Sequence, residues 1–178
     1  MPDEHLIATT PRAPWLPPGS SAEVWAGDDC AVAVPAIIVR LLLTKWPAYG
    51  DPRFFCVPTA KGLDLPTRLL GSDQERGRPS AGLAPLLYDV FGGSEVVTRC
   101  VGYVRNVVPH PDMDYPHPTP WAHVPVFVAM DAVEPIVDGE WITLERGRRE
   151  LRPRHWWPIV DNHLTTAADT QRSLDRLE

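Results

Sequence analysis

The sequence predicts an α+β (α/β) domain, a mixed β-sheet with helices packed on it, and three observations carry that expectation. Runs dense in Val, Ile, Leu and aromatic residues recur at Ala31–Thr44, Arg53–Thr59, Glu95–Val108 and His123–Met130, which is the composition of strands. One stretch, Ser80–Phe91, has the periodicity of an amphipathic helix instead. The resulting order, β-β-α-β-β-β-α without an internal repeat, fits one sheet with helices against it.

Residues 1–20 are rich in proline and polar residues and read as an irregular arm, with Trp15 set against the domain surface. Residues 21–165 form the expected domain, and 166–178 a helical tail. In AVAVPAIIVRLLLT, Pro35 separates a short lead-in from a central strand over Ala36–Leu43. Two prolines and a glycine in KWPAYGDPR mark a loop, RFFCVPT reads as a second short strand, and Pro66, after Lys61–Leu65, ends any regular pairing. Gly71–Ser80 is polar and turn-rich. Ser80 is placed as the N-cap of the helix, whose apolar residues Leu83, Leu86, Leu87, Val90 and Phe91 share one face. Gly92-Gly93 stops it, and Pro85 is read as lying near its first turn. Beyond it, Val97, Arg99, Val101, Tyr103, Arg105 and Val107 alternate along one face of a strand, and Val124, Val126 and Val128 along another. Trp141–Leu144 reads as a short strand, Arg152–Val160 as irregular chain and Asn162–Leu177 as a closing helix.

At 178 residues the chain is long enough for one real core. A net charge of -6 argues against general nucleic-acid binding. The local exception, Arg146, Arg148, Arg149, Arg152 and Arg154, reads either as a solvated loop and strand edge or as an anion-contacting patch. Of the 17 basic residues only Lys45 and Lys61 are lysines, a skew that a GC-rich genome explains without any function. Cys30, Cys56 and Cys100 lie in or beside apolar runs with no paired spacing, which predicts buried free thiols in a reducing compartment. With neither a signal peptide nor a membrane span in view, the expected setting is the cytoplasm, with no membrane partner.

The stretch LPTRLLGSDQERGRPSAGLAPLLYDVFGG, with its Leu65-Pro66 exit, polar loop, amphipathic helix and closing glycine, resembles the box of the Nudix superfamily. The resemblance extends over roughly Ala31–Val160. It implies an α/β/α sandwich whose box helix is Ser80–Phe91, and hydrolysis of a small phosphorylated or nucleotide-like substrate held through Mg²⁺. The family's box runs Gly, five residues, Glu, seven residues, Arg-Glu-apolar-x-Glu-Glu-x-Gly. Gly71, Leu87 and Gly92 match it, whereas its glutamate positions hold Gly77, Leu86, Asp89 and Val90 and its arginine position Pro85. The carboxylates left to serve as Mg²⁺ ligands are Asp73, Glu75 and Asp89, with Glu75 and Asp89 as the candidate catalytic groups.

A second candidate region is the proline-stiffened loop His110–Trp121, followed by His123. Its His110, Asp112, Asp114, His117 and His123 suit a transition metal, ligand contact or acid–base work, or plain structure. Arg68, Arg105, Asn106, His117, Trp121 and His123 are the candidate ligand-binding residues, with the arginines suited to phosphate or carboxylate. Three functions follow: a divergent Nudix-like hydrolase with a weakened or relocated metal site, an inactive member of that fold that binds a ligand or partner, or an acid–base enzyme built on the His110–His123 loop. A small-molecule ligand is common to the first two. A cleft between the box helix and that loop is the expected place to find it.

Overall fold

A computed structural model describes residues 3–93 and 95–175 of the chain. Six strands make the larger sheet: β1 (Glu4–Pro11), β2 (Ser21–Gly27), β3 (Ile38–Leu42), β7 (Thr67–Leu69), β8 (Thr98–Val107) and β9 (Trp121–Ala129), in the order β1-β2-β8-β9-β3-β7. All neighbours are antiparallel except β3 and β9, two interior strands, which run parallel. A smaller sheet joins β4 (Thr44–Lys45), β5 (Arg53–Thr59) and β10 (Glu140–Thr143), with β6 (Gly62–Asp64) paired onto β5. Four helices are described: α1 (Asp73–Gly77), α2 (Pro79–Phe91), α3 (Leu144–Glu150) and α4 (Trp157–Asp175). The molecule is a mixed α+β fold. No described helix is long and apolar enough to cross a membrane.

The two long helices cover opposite faces of the sheet. Leu83, Leu86, Val90 and Phe91 of α2 pack with Val39, Leu41, Cys100, Tyr103 and Phe127. On the other face Ile159, Val160 and Leu164 of α4 pack with Val24, Val101, Val104, Val124, Val126 and Val128. Strands buried on both faces carry near-continuous apolar runs, which is why β3 and β9 are so easily seen in the sequence.

The alternation expected along β8 does not hold over its length. The register shifts between Cys100 and Gly102, so Val101 joins the α4 core while Tyr103 faces α2. Gly102 permits the close approach there: a Cβ would lie 2.8 Å from Ile159 Cγ2 of α4 and 2.5 Å from the Trp25 carbonyl. A bulge of this kind re-aims every later side chain on the strand.

Several other expectations are corrected. Within the supposed N-terminal arm, β1 pairs with β2 from Glu4 to Pro11, with one register shift between Leu6 and Ala8. Pairing resumes at β7 straight after Pro66. Inside the polar Gly71–Ser80 stretch, Ser72 caps α1 through a capping box with Glu75. The next helix starts at Pro79 with Arg78 as N-cap, so Ser80 lies inside it, and Pro85 falls in the second turn. Gly92, in the left-handed region at φ 74°, ends it as expected. The arginine cluster lies partly on α3, whose N-terminus Thr143 caps through a hydrogen bond from Arg146 N. Four of its five arginines have carboxylate partners, Arg146 with Glu140 and Glu150, Arg148 with Asp161, Arg149 with Glu150 and Arg154 with Asp64, whereas Arg152 is exposed with no ion pair among the described residues. Helix α4 begins at Trp157, inside the stretch read as irregular, and crosses the boundary drawn at residue 165; the expected end at 177 lies outside the described residues. All three cysteines are buried free thiols, and burial raises the Cys56 thiol to about 12.

Candidate functional site

Arg105 and Asn106 are consecutive on β8, so the strand turns them to opposite faces. Arg105 stands opposite Glu23 of β2 and His123 of β9. Its Nε donates to His123 Nε2 at 3.1 Å, and its NH1 lies 3.4 Å from Glu23 Oε2. A ring nitrogen that accepts from a guanidinium carries no proton, so His123 holds its proton on Nδ1 and donates it to the Pro35 carbonyl at 2.9 Å. Trp25, Tyr103 and Trp121 surround the guanidinium with ring centroids 5.0 to 5.6 Å away. Trp25 Nε1 donates to Glu23, and Tyr103 OH to Glu4.

The Arg105, His123 and Glu23 bonds close on one another, while Glu4 Oε2, at the edge of the cluster, is buried without a partner among the described residues. Both nitrogens of His123 are engaged, and burial, helped by the neighbouring Arg105 charge, holds its pKa below the usual histidine range. Arg105, Trp121 and His123 therefore stand as a structural cluster, and the acid–base and ligand-binding roles considered for His123 do not fit its surroundings.

Asn106 lies on the other face, where α4 leaves the sheet end uncovered. A cavity of about 290 Å³ opens there between the strand ends, the connection from β8 to β9, the turn after β1 and the chain preceding α4. Ile37, Val104 and Val124 form its apolar walls. Asn106 Oδ1, Tyr115 OH and His117 Nδ1 are each buried at its lining with no hydrogen-bond partner among the described residues. Buried polar atoms are satisfied almost everywhere in folded proteins, and each one left alone costs about 1–3 kcal/mol. Three around one cavity of this size make it the candidate binding site of the described residues.

The cavity is electrostatically neutral. Among the described residues, no Asp, Glu, Lys or Arg lines the cavity. Burial, with help from Arg76, holds His117 below its ordinary pKa, and burial, reinforced by Arg40, brings His155 down to about 4. Both rings are neutral near pH 7, so the cavity presents hydrogen-bonding groups without charge. Trp15, half-exposed, stacks tilted on His155 at 5.4 Å between ring centroids and offers a flat apolar wall.

The residues of the box-like segment are placed differently. Glu75 spends its carboxylate on the backbone N–H groups of Gly71 and Ser72 and on Arg68, 3.5 Å away, and those backbone bonds lower its pKa. Asp73 is fully exposed beside Arg76, and Asp89 is exposed on α2. Leu86 and Val90, at the family's glutamate positions, are buried in the α2 core. The structure does not bring Asp73, Glu75 and Asp89 together, and no group of three or more His, Cys, Asp or Glu among the described residues is arranged to hold a metal ion. These residues do not fit the Mg²⁺ site that the resemblance implies. His110, Asp112 and Asp114 are exposed on their loop, apart from the closed His123.

Of the candidates from the sequence, Asn106 and His117 meet at one site. The cavity they share lies on the α4 side of the sheet and not against α2, where the cleft was expected. Trp15, Tyr115 and His155 were not singled out as ligand contacts, because each comes from a different connection and only the fold unites them. The proline-stiffened 110–121 loop was the one local signal for Tyr115. Compared with known proteins, the chain matches no family model and no curated sequence.

Proposed function

We propose that this chain is a Nudix-like domain that works by binding a small neutral ligand in the Asn106 cavity, and not by metal-dependent hydrolysis at the box segment. The observation that carries the reading is the convergence of Asn106 Oδ1, Tyr115 OH and His117 Nδ1, all buried and unpartnered, on one uncharged cavity. Three neutral groups with both donor and acceptor capacity favour a planar ligand with a polar edge, and Trp15 supplies a surface for its face. A heterocyclic base, free or as a nucleoside, has this chemistry and suits the volume.

The Nudix-like assignment rests on the matched Gly71, Leu87 and Gly92 and on a mixed sheet covered by a helix on each face. The hydrolase reading loses support where Leu86 and Val90 serve the core and Glu75 serves as a helix cap. Titration of the full chain with free bases and nucleosides, with and without EDTA, tests the proposal. Saturable binding that survives EDTA is expected. Mg²⁺-dependent cleavage of a nucleoside diphosphate derivative, abolished by Asp89→Ala, would overturn it.

A further inference from the structure

A second cleft lies on the far side of the molecule, about 800 Å³ in volume, between α4 and the ends of β4, β8 and β9. It sits just past the carboxyl ends of β3 and β9, the one parallel pair, which is where open α/β sheets place their ligands. Lys45, Arg53 and Arg99 line it together with Asp131 and His163.

The arginines there differ from those elsewhere. In this acidic chain, Arg40, Arg68, Arg76, Arg105, Arg146, Arg148, Arg149, Arg154 and Arg172 each have a carboxylate partner. Arg12, Arg53, Arg78 and Arg152 form no ion pair among the described residues and are exposed. Arg99 also forms none, yet it is half-buried, and its Nε is shielded from solvent without an acceptor. A guanidinium withdrawn from water and left unpaired is unfavourable unless an anion meets it.

Two further observations point the same way. Lys45 and Arg53 are direct cross-strand partners, an arrangement that like charges make unfavourable. Lys45 is partly relieved by Glu134, at 2.6 Å, whereas Arg53 is not relieved at all. Asp131 is turned to the backbone, accepting from Val97 N at 3.0 Å. The cleft thus offers two unpaired guanidinium groups, and Trp46, Val128 and Met130 give it an apolar wall.

We propose that this cleft binds the phosphate of a phosphate monoester with an apolar body, Arg99 and Arg53 together meeting a dianion. The site is independent of the Asn106 cavity and shares no residue with it. Phenyl phosphate is the probe, titrated into the full chain and followed by calorimetry, with circular dichroism to check folding of each variant. The expected result is saturable binding, weakened severalfold in Arg53→Gln, at an exposed position, and at least tenfold in Arg99→Met. Benzoate should bind at least tenfold more weakly, and Asn106→Leu should leave phenyl phosphate binding unchanged. No saturable binding to the wild type, equal affinity in Arg53→Gln, equal affinity for benzoate, or loss of binding in Asn106→Leu would each overturn the assignment.

Discussion

Two neighbouring residues of one strand show how differently this molecule treats its buried polar groups. Arg105 is enclosed by three aromatic rings and bonded to His123 and Glu23, and His123 has a partner on each ring nitrogen. Asn106, turned the other way, keeps an acceptor that nothing inside the described molecule satisfies, and Tyr115 and His117 share its condition. In the first network Arg105 and His123 are satisfied, and the one unpartnered atom, Glu4 Oε2, sits at its edge and lines neither the Asn106 cavity nor the Arg99 cleft. The second is incomplete by three partners around a cavity. Richness in polar and aromatic side chains therefore does not by itself mark the site; unsatisfied valence does.

The closed network should show the largest effect on stability. His123→Leu leaves the Arg105 Nε without its acceptor and takes one of two hydrogen bonds from the Pro35 carbonyl, which keeps the backbone N–H of residue 123, and about 2–4 kcal/mol of destabilisation is expected in chemical denaturation. A loss under 1 kcal/mol would mean that the network contributes little to the fold.

Acid sensitivity separates the faces next. His155 has a folded pKa of about 4 against an ordinary 6.5, held there by burial first and by Arg40 second. The unfolded chain takes up this proton more readily, so the contribution is fully present above pH 6.5 and is lost as pH falls from about 6.5 to about 4. It amounts to about 3 kcal/mol at the acid end of that window. His155→Gln should flatten the decline in unfolding free energy between those limits, and a wild-type slope retained in the variant would contradict the assignment.

A smaller effect is expected in the box-like segment. Removing the Ser72 cap in Ser72→Ala should cost about 1 kcal/mol of thermal stability and leave ligand binding at the Asn106 cavity intact. The smallest change in stability belongs to the open face. Asn106→Leu removes an unsatisfied buried acceptor and adds apolar surface, so it should be neutral or stabilising by up to about 1 kcal/mol. Clear destabilisation in a melt would show that Asn106 is a structural residue.

Much of the architecture was legible in the sequence because apolar runs and helical spacing are local signals. β5, the core strands β3 and β9, and the apolar face and Gly92 end of α2 all followed from them. Where packing overrode pattern, the reading failed. The Gly102 bulge splits what looks like one alternating face of β8, and β1 gains order only from pairing with β2. The capping box of Ser72 and Glu75 was visible as a Ser-x-x-Glu spacing, yet the box resemblance drew attention to Glu75 as a catalytic carboxylate. Asn106 and His117 were within reach because the loop between β8 and β9 is long and proline-stiffened. Trp15 and His155 were not, since no spacing links residues that distant. Nor does composition tell a saturated polar cluster from an unsaturated one: Arg105 and His123 looked as promising as Asn106 and His117.

The central claim is that the unpartnered groups of the Asn106 cavity exist to hold a neutral, polar-edged ligand. Calorimetric titration of free bases and nucleosides into the wild type and the Asn106→Leu variant tests it directly. The account predicts saturable binding to the wild type that persists in EDTA and is lost in Asn106→Leu while the fold keeps its stability. No saturable binding of any base or nucleoside, or the same affinity in both proteins, would contradict it.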